Sequence, residues 1–164
     1  MATTITSSTL TVTITEAITI GGGVRGNTNK ISISGINEVS QRVITVPLTA
    51  TDATTETTLL KLDTTASAGT WVAADVKYIR ITNLDDTSTC RIALNTAAKT
   101  AWFSLEAGRT LTLFNDDALY QSTGVLVWTV GTTTFDAIEE IVGQVGPPTQ
   151  QTDPIDLEVF IASA

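Results

Sequence analysis

An all-β fold, a single antiparallel β-sandwich of jelly-roll-like type with one short helix near the C-terminus, is what this sequence predicts, on three observations. Apolar residues recur at a period of two in short runs spread over most of the chain, the spacing of a half-buried strand. The runs are separated by Asn, Asp, Gly and Pro, which supply turn dihedrals. Within the runs the polar positions are held mainly by threonine, a β-branched residue that suits the solvent side of a pleat without charge repulsion. A length of 164 residues is enough for one well-buried core and short for two. The expected organisation is therefore an N-terminal arm, residues 1–8, followed by one sandwich domain, residues 9–164.

Taken in order, Ala2 to Ser8 is small and polar and reads as an arm that a neighbour must tie down. Thr9 to Thr15 alternates strictly, with Leu10, Val12 and Ile14 on one face and Thr9, Thr11, Thr13 and Thr15 on the other, and Ile18 and Ile20 resume the pattern. Gly21-Gly22-Gly23 then predicts a flexible turn. Although Gly21 to Gly26 superficially resembles a phosphate-cradling loop, such a loop needs Gly-Lys-Ser/Thr opening a helix, and none follows. Ile31 to Ser34 alternates and ends at Gly35. Arg42 to Val46 forms a further run, which Pro47 ends or places on a sheet edge, because proline cannot donate to a ladder. Residues 48–58 read as a low-complexity connector, Thr58 to Leu62 as a strand, and Asp63 to Gly69 as a loop before Trp71-Val72.

The densest pattern is Asp75 to Phe114, where four alternations follow one another: Ile79 with Ile81, Ile92 with Leu94, Phe103 with Leu105, and Leu111 with Leu113. Turn chemistry at Asn83-Leu84-Asp85-Asp86, Asn95 to Ala98 and Glu106 to Arg109 separates them, so two consecutive β-hairpins are expected. Asn115-Asp116-Asp117 closes a strand, and Gly124 to Val130, with Trp128, opens another. Phe135 to Val142 places Phe135, Ile138, Ile141 and Val142 on one helical face, with Thr134 to cap it and Gly143 to stop it. A linker stiffened by Pro147 and Pro148 leads to Ile155–Ile161, where Ile155, Leu157, Val159 and Ile161 share one side. Alternation predicts a core of Leu10, Val12, Ile14, Ile31, Ile33, Leu60, Ile79, Ile81, Ile92, Leu94, Phe103, Leu105, Leu111, Leu113, Leu157 and Val159.

Composition narrows the function. The net charge of -8, with only nine Lys and Arg, disfavours a nucleic-acid partner, since that affinity comes largely from basic side chains displacing counterions. No stretch approaches the roughly 20 apolar residues of a membrane span, and residues 1–5 have no positively charged lead into an apolar run, so a soluble protein without a secretory signal is expected. With no histidine, the Ser-His-Asp and Cys-His arrangements and most zinc sites are excluded. Cys90 stands alone and reads as a small core residue beside Ile92. Asp85-Asp86 and Asp116-Asp117 could formally supply a carboxylate pair or calcium ligands. Neighbours on extended chain point to opposite sides, however, so both pairs read as turn formers. Trp71, Trp102 and Trp128 fit core or subunit-interface anchors, and also, as an alternative, a sugar-stacking groove. No catalytic residue, cofactor or metal site is expected. A threonine-rich, charge-poor surface with three tryptophans suits a closed ring of identical subunits, with a homotrimer the expected state.

Five phrases, LTVTITEAITI from Leu10, ISGINEVSQRV from Ile33, KYIRITNLDD from Lys77, LEAGRT from Leu105 and IDLEVFI from Ile155, together resemble small virion structural proteins of tailed bacteriophages, particularly cyanophages. The likeness spans most of the chain and consists of strand and turn phrases, not catalytic signatures. It implies a non-enzymatic protein on the surface of a phage particle, made soluble in the host cytoplasm, with the major capsid protein or other virion proteins as partners. A capsid decoration or cement protein is the expected role, ahead of a tail or fibre adaptor and of a carbohydrate-binding module.

Overall fold

Alternating side chains can be buried only if a second layer covers their face, and the chain supplies that layer by folding long antiparallel ribbons over on themselves. The computed structural model describes residues 6–48, 55–97, 100–114, 121–123, 125–127, 138–145 and 153–164. The strands are β1 (Ser8–Thr15), β2 (Ile18–Ile20), β3 (Gly23–Arg25), β4 (Thr28–Ile36), β5 (Glu38–Val46), β6 (Thr57–Asp63), β7 (Trp71–Val72), β8 (Val76–Asn83), β9 (Cys90–Asn95), β10 (Thr100–Leu105), β11 (Thr110–Phe114), β12 (Gln121–Thr123), β13 (Val125–Val127), β14 (Glu140–Val145) and β15 (Ile155–Ser163). One sheet has the order β11-β8-β15-β5 and the other β10-β9-β14-β6-β7. Apart from the parallel β6–β7 contact, the pairs within these two sheets are antiparallel.

The stretch 75–114 is not two consecutive hairpins but one long hairpin bent double. β9 and β10 pair with each other in one sheet, while their continuations β8 and β11 pair with each other in the opposite sheet. A second folded ribbon is made the same way from β5–β6 and β14–β15, and the two lie side by side through the β14–β9 and β15–β8 ladders. The fold-over explains why tight turns at 83–86 and 106–109 did not return each strand to its predecessor: there the chain passes from one sheet to the other.

The buried cluster between the sheets draws Ile79, Ile81, Leu113, Val46, Ile155, Leu157, Val159 and Ile161 from one side. From the other come Leu60, Leu62, Cys90, Ile92, Leu94, Leu105, Ile141 and Val145. Trp71, Phe103 and Leu111 pack against it part-buried. Leu59 and Leu60 are both fully buried although adjacent, because the register slips between Ile141 and Val142 and leaves Leu59 as an extra residue in the β6 ladder. β5 ends at Val46, one residue before Pro47, which is the first of the two outcomes that proline allows, and the strand also lies at a sheet edge.

The helix expected over 135–142 is not formed. Glu140–Val145 is strand β14, central in its sheet between β9 and β6, and residues 135–137 lie outside the described part. Ile141, Val142, Gly143, Gln144 and Val145 are all buried, so the strand carries no alternation, and its apolar spacing fits a short helix equally well. Gly143 does not stop a helix. A Cβ there would lie 2.9 Å from Val46 Cγ2 and 3.2 Å from Leu157 Cδ1, so the glycine marks a close approach of the two sheets.

The first strands do not join the core that their alternation predicts. Leu10, Val12, Ile31 and Ile33 are only part-buried and Ile14 is exposed; none belongs to the core between the sheets. They form instead a two-stranded ribbon, β1–β4, outside the sandwich. The expected arm residues 1–5, the Pro147-Pro148 linker, Asp116-Asp117 and Trp128 lie outside the described residues. Among the described residues no helix is long and apolar enough to cross a membrane.

Candidate interaction surface

Residues 10–33 make one long β-hairpin in an unbroken register. Leu10 faces Ile33, Thr15 faces Thr28 and Ile20 faces Gly23, and between the β1–β4 and β2–β3 segments the Glu16 N–H donates to the Asn27 carbonyl at 2.8 Å. Gly21 and Gly22 form a two-residue turn with φ of 60° and 79°, the positive pair of a type I′ turn whose twist matches that of the strands. Gly26 has φ of 150°, and a Cβ on it would fall 2.1 Å from the Glu16 carbonyl oxygen, so only glycine fits that crossing. The Gly-rich segment is thus the tip of a hairpin, not a phosphate cradle.

The base of the hairpin is anchored on the outer face of the β11-β8-β15-β5 sheet. Leu10, Val12 and Ile33 pack, with Phe114 and Phe160, around a small buried cluster of Ile36, Tyr78 and Ala162. The Tyr78 ring lies 5.1 Å from Phe114 and 5.9 Å from Phe160, the latter edge-on, and the Arg80 guanidinium sits 5.8 Å above Phe160. Arg80 also pairs with Glu158 at 2.6 Å. At Gly35, with φ of 79°, the chain turns from β4 towards β5, and the register shifts between Ser8 and Leu10 on the opposite strand.

Beyond that base the same alternation continues without a covering layer. Ile14, Ile18 and Ile20 extend the stripe begun by Leu10 and Val12, yet Ile18 is 52 % and Ile20 58 % exposed, and Val24 on the opposite face is 83 % exposed. A hairpin that presents branched aliphatics to water along half its length has the character of a contact surface. Its charge differs from that of the rest: Arg25 and Lys30 outweigh Glu16, whereas the remaining chain holds seven Lys and Arg against sixteen Asp and Glu.

The other candidate residues take structural roles. Asp85 accepts the Thr87 and Ser88 amides at 2.8 and 2.6 Å, and these bonds hold its pKa below the usual carboxylate value. Because the folded state favours the ionised form, this contribution is present at neutral pH and fades as pH falls through the lowered pKa. Asp86 lies beside it in the same loop, and among the described residues no group of three or more Asp, Glu or Cys is placed to hold a metal ion. Trp71 sits in β7 at one edge of its sheet and packs on the core, while Trp102 stands in β10 at the other edge, 46 % exposed. They do not share a groove.

Cys90 is fully buried; its Sγ donates to the Gln144 carbonyl at 3.3 Å, and burial pushes the thiol up to about 12. The single thiol is therefore expected to stay silent towards an aromatic disulfide reagent in the native protein and to titrate fully in denaturant. Comparable rates in the two states would contradict the placement of β9.

Sequence reasoning found the strands of the hairpin but not its position outside the sandwich. The signal was present in Gly21-Gly22, a two-residue turn pattern between the Thr/Ile alternation that precedes it and the Ile/Ser alternation of Ile31 to Ser34 that follows. Comparison with protein-family models, curated proteins and solved structures finds no match to this chain.

Proposed function

We propose that the chain is a non-enzymatic structural protein of a tailed-phage particle, a capsid decoration or cement protein. It binds the outer shell as a homotrimer and braces neighbouring capsomers. The observation that carries the reading is the hairpin 10–33, a rigidly based ribbon whose apolar stripe runs on past the body that supports it. Such a ribbon adds little to the stability of its own fold and much to a contact with a neighbour. The order β11-β8-β15-β5 opposite β10-β9-β14-β6, two ribbons folded over together, supports a jelly-roll reading, an arrangement common in viral shell proteins. The strand and turn phrases that resemble small phage virion proteins point the same way. A protein that binds the assembled shell and not its dissociated subunits stabilises the shell by mass action.

Quantifying the chain against the major capsid protein in purified particles is expected to give a copy number comparable with that of the capsomers. A handful of copies, or loss together with detached tails, would replace the capsid role by that of a tail or fibre adaptor.

A further inference from the structure

The outer face of the sheet that anchors the hairpin is only partly covered. Leu10, Val12 and Ile33 lie over the aromatic cluster of β8, β11 and β15, but β5, at the sheet edge, keeps Val39 and Val43 more than half exposed on that face. Beside them on β15, Asp156 is exposed, paired in the ladder with Thr45, whose hydroxyl it accepts. Glu158, opposite Val43, is engaged by Arg80 and by the Gln41 amide.

We propose that the distal hairpin of one copy packs on the outer face of β5 of a second copy, Ile14, Ile18 and Ile20 covering Val39 and Val43 and Arg25 approaching Asp156. The contact repeats between molecules what the base of the hairpin, through Leu10, Val12 and Ile33, already does within one: an aliphatic stripe laid on the same sheet face. Length agrees, since Thr13–Ile20 spans about 26 Å and the nine residues of β5 about 30 Å. Charge selects this occupant, because a basic hairpin with Arg25 beside Ile18 fits an acidic body, and the body of this chain carries nine negative charges in excess once the hairpin is set aside. Each copy offers one hairpin and one β5 face, so the exchange gives a reciprocal pair, or a ring where the rotation between copies closes. The proposal specifies the self-contact behind the suggested trimer and rests on the reading of the hairpin as a contact surface; it does not require a phage shell.

The test uses sedimentation equilibrium of the full chain at micromolar concentration. The wild type is expected to be oligomeric with an unfolding midpoint that rises with protein concentration, and Ile18→Asp and Val43→Asp, both at exposed sites, are each expected to be monomeric with unchanged circular dichroism and a midpoint independent of concentration. In the Ile18→Cys/Val43→Cys variant, mild oxidation is expected to link copies covalently, with buried Cys90 not competing, while neither single cysteine variant links to the same extent. A monomeric wild type overturns the proposal, as does an oligomer broken by Ile18→Asp but untouched by Val43→Asp, and as does linkage through Ile18→Cys alone. A monomer that still binds purified shells would remove this contact and leave the virion role intact. A chain that self-associates through both surfaces but ignores shells would do the reverse.

Discussion

Truncating Ile81 to alanine is expected to lower the unfolding free energy by about 2–5 kcal/mol, whereas Ile14→Ala should change it by no more than about 0.5 kcal/mol. Both residues are β-branched aliphatics on alternating strands, and a reading by pattern alone puts both in the core. Ile81 is fully buried between the two sheets, paired in the ladders with Leu111 and Val159, so the deleted atoms leave a cavity that neighbours on two sides fill only in part. Ile14 lies beyond the part of the hairpin that the body supports and is 43 % exposed, so its truncation removes little buried surface in the isolated molecule. Urea unfolding of the two substitutions in the monomeric Ile18→Asp background measures the contrast. Equal losses would mean that the hairpin is folded into the body, and no loss for Ile81→Ala would mean that the face assignment of β8 is reversed by one residue.

Replacing Asn83 by leucine is expected to cost about 2–4 kcal/mol, close to the core truncation although no cavity is made. Asn83 is completely buried, and its amide makes three bonds: Nδ2 donates to the carbonyls of Ser88 at 2.8 Å and Leu105 at 3.0 Å, while Oδ1 accepts the Asp85 N–H at 3.0 Å. Around it the Asn83 N–H donates to Arg109 O, the Leu84 N–H to Asp156 O and the Gly108 N–H to Asp85 O, so one side chain ties together both bends of the folded hairpin. Leucine keeps the branched shape of asparagine, and so leaves no cavity, but it deprives these backbone groups of their partners where water cannot reach them all. Asn83→Asp should be similarly damaging at neutral pH, because a carboxylate cannot donate to the two carbonyls. Thermal unfolding followed by circular dichroism reads both variants; a midpoint within error of the wild type in Asn83→Leu would show that solvent satisfies the bends.

The contrast between Ile14 and Ile81 also marks how far the sequence could be read. Strand positions, the end of β5 before Pro47, a turn at Gly21-Gly22-Gly23 and the buried face of β8, β9, β11 and β15 followed from alternation and turn residues, because these reflect the local period of an extended chain. The strand β14 was misread because burial on both faces erases the alternation that distinguishes a strand from a helix. The candidate site was half legible: Ile14, Ile18 and Ile20 were recognised as one apolar face, but not that this face has no partner within the chain.

What the sequence by itself determined is the set of extended segments and, within most of them, which side chains share a face, since the pleat repeats every two residues whatever surrounds it. Only the tertiary structure decided what covers each face. Two bends, at 84–89 and 106–109, turned one hairpin into parts of two sheets. The β5–β15 ladder, joining residues more than a hundred positions apart, closed the sandwich. The β1–β4 ribbon was left outside it. An alternating strand states that one side avoids water, but the surface that satisfies it is chosen by contacts distant in sequence, and for Ile14, Ile18 and Ile20 that surface is not in the same molecule's core.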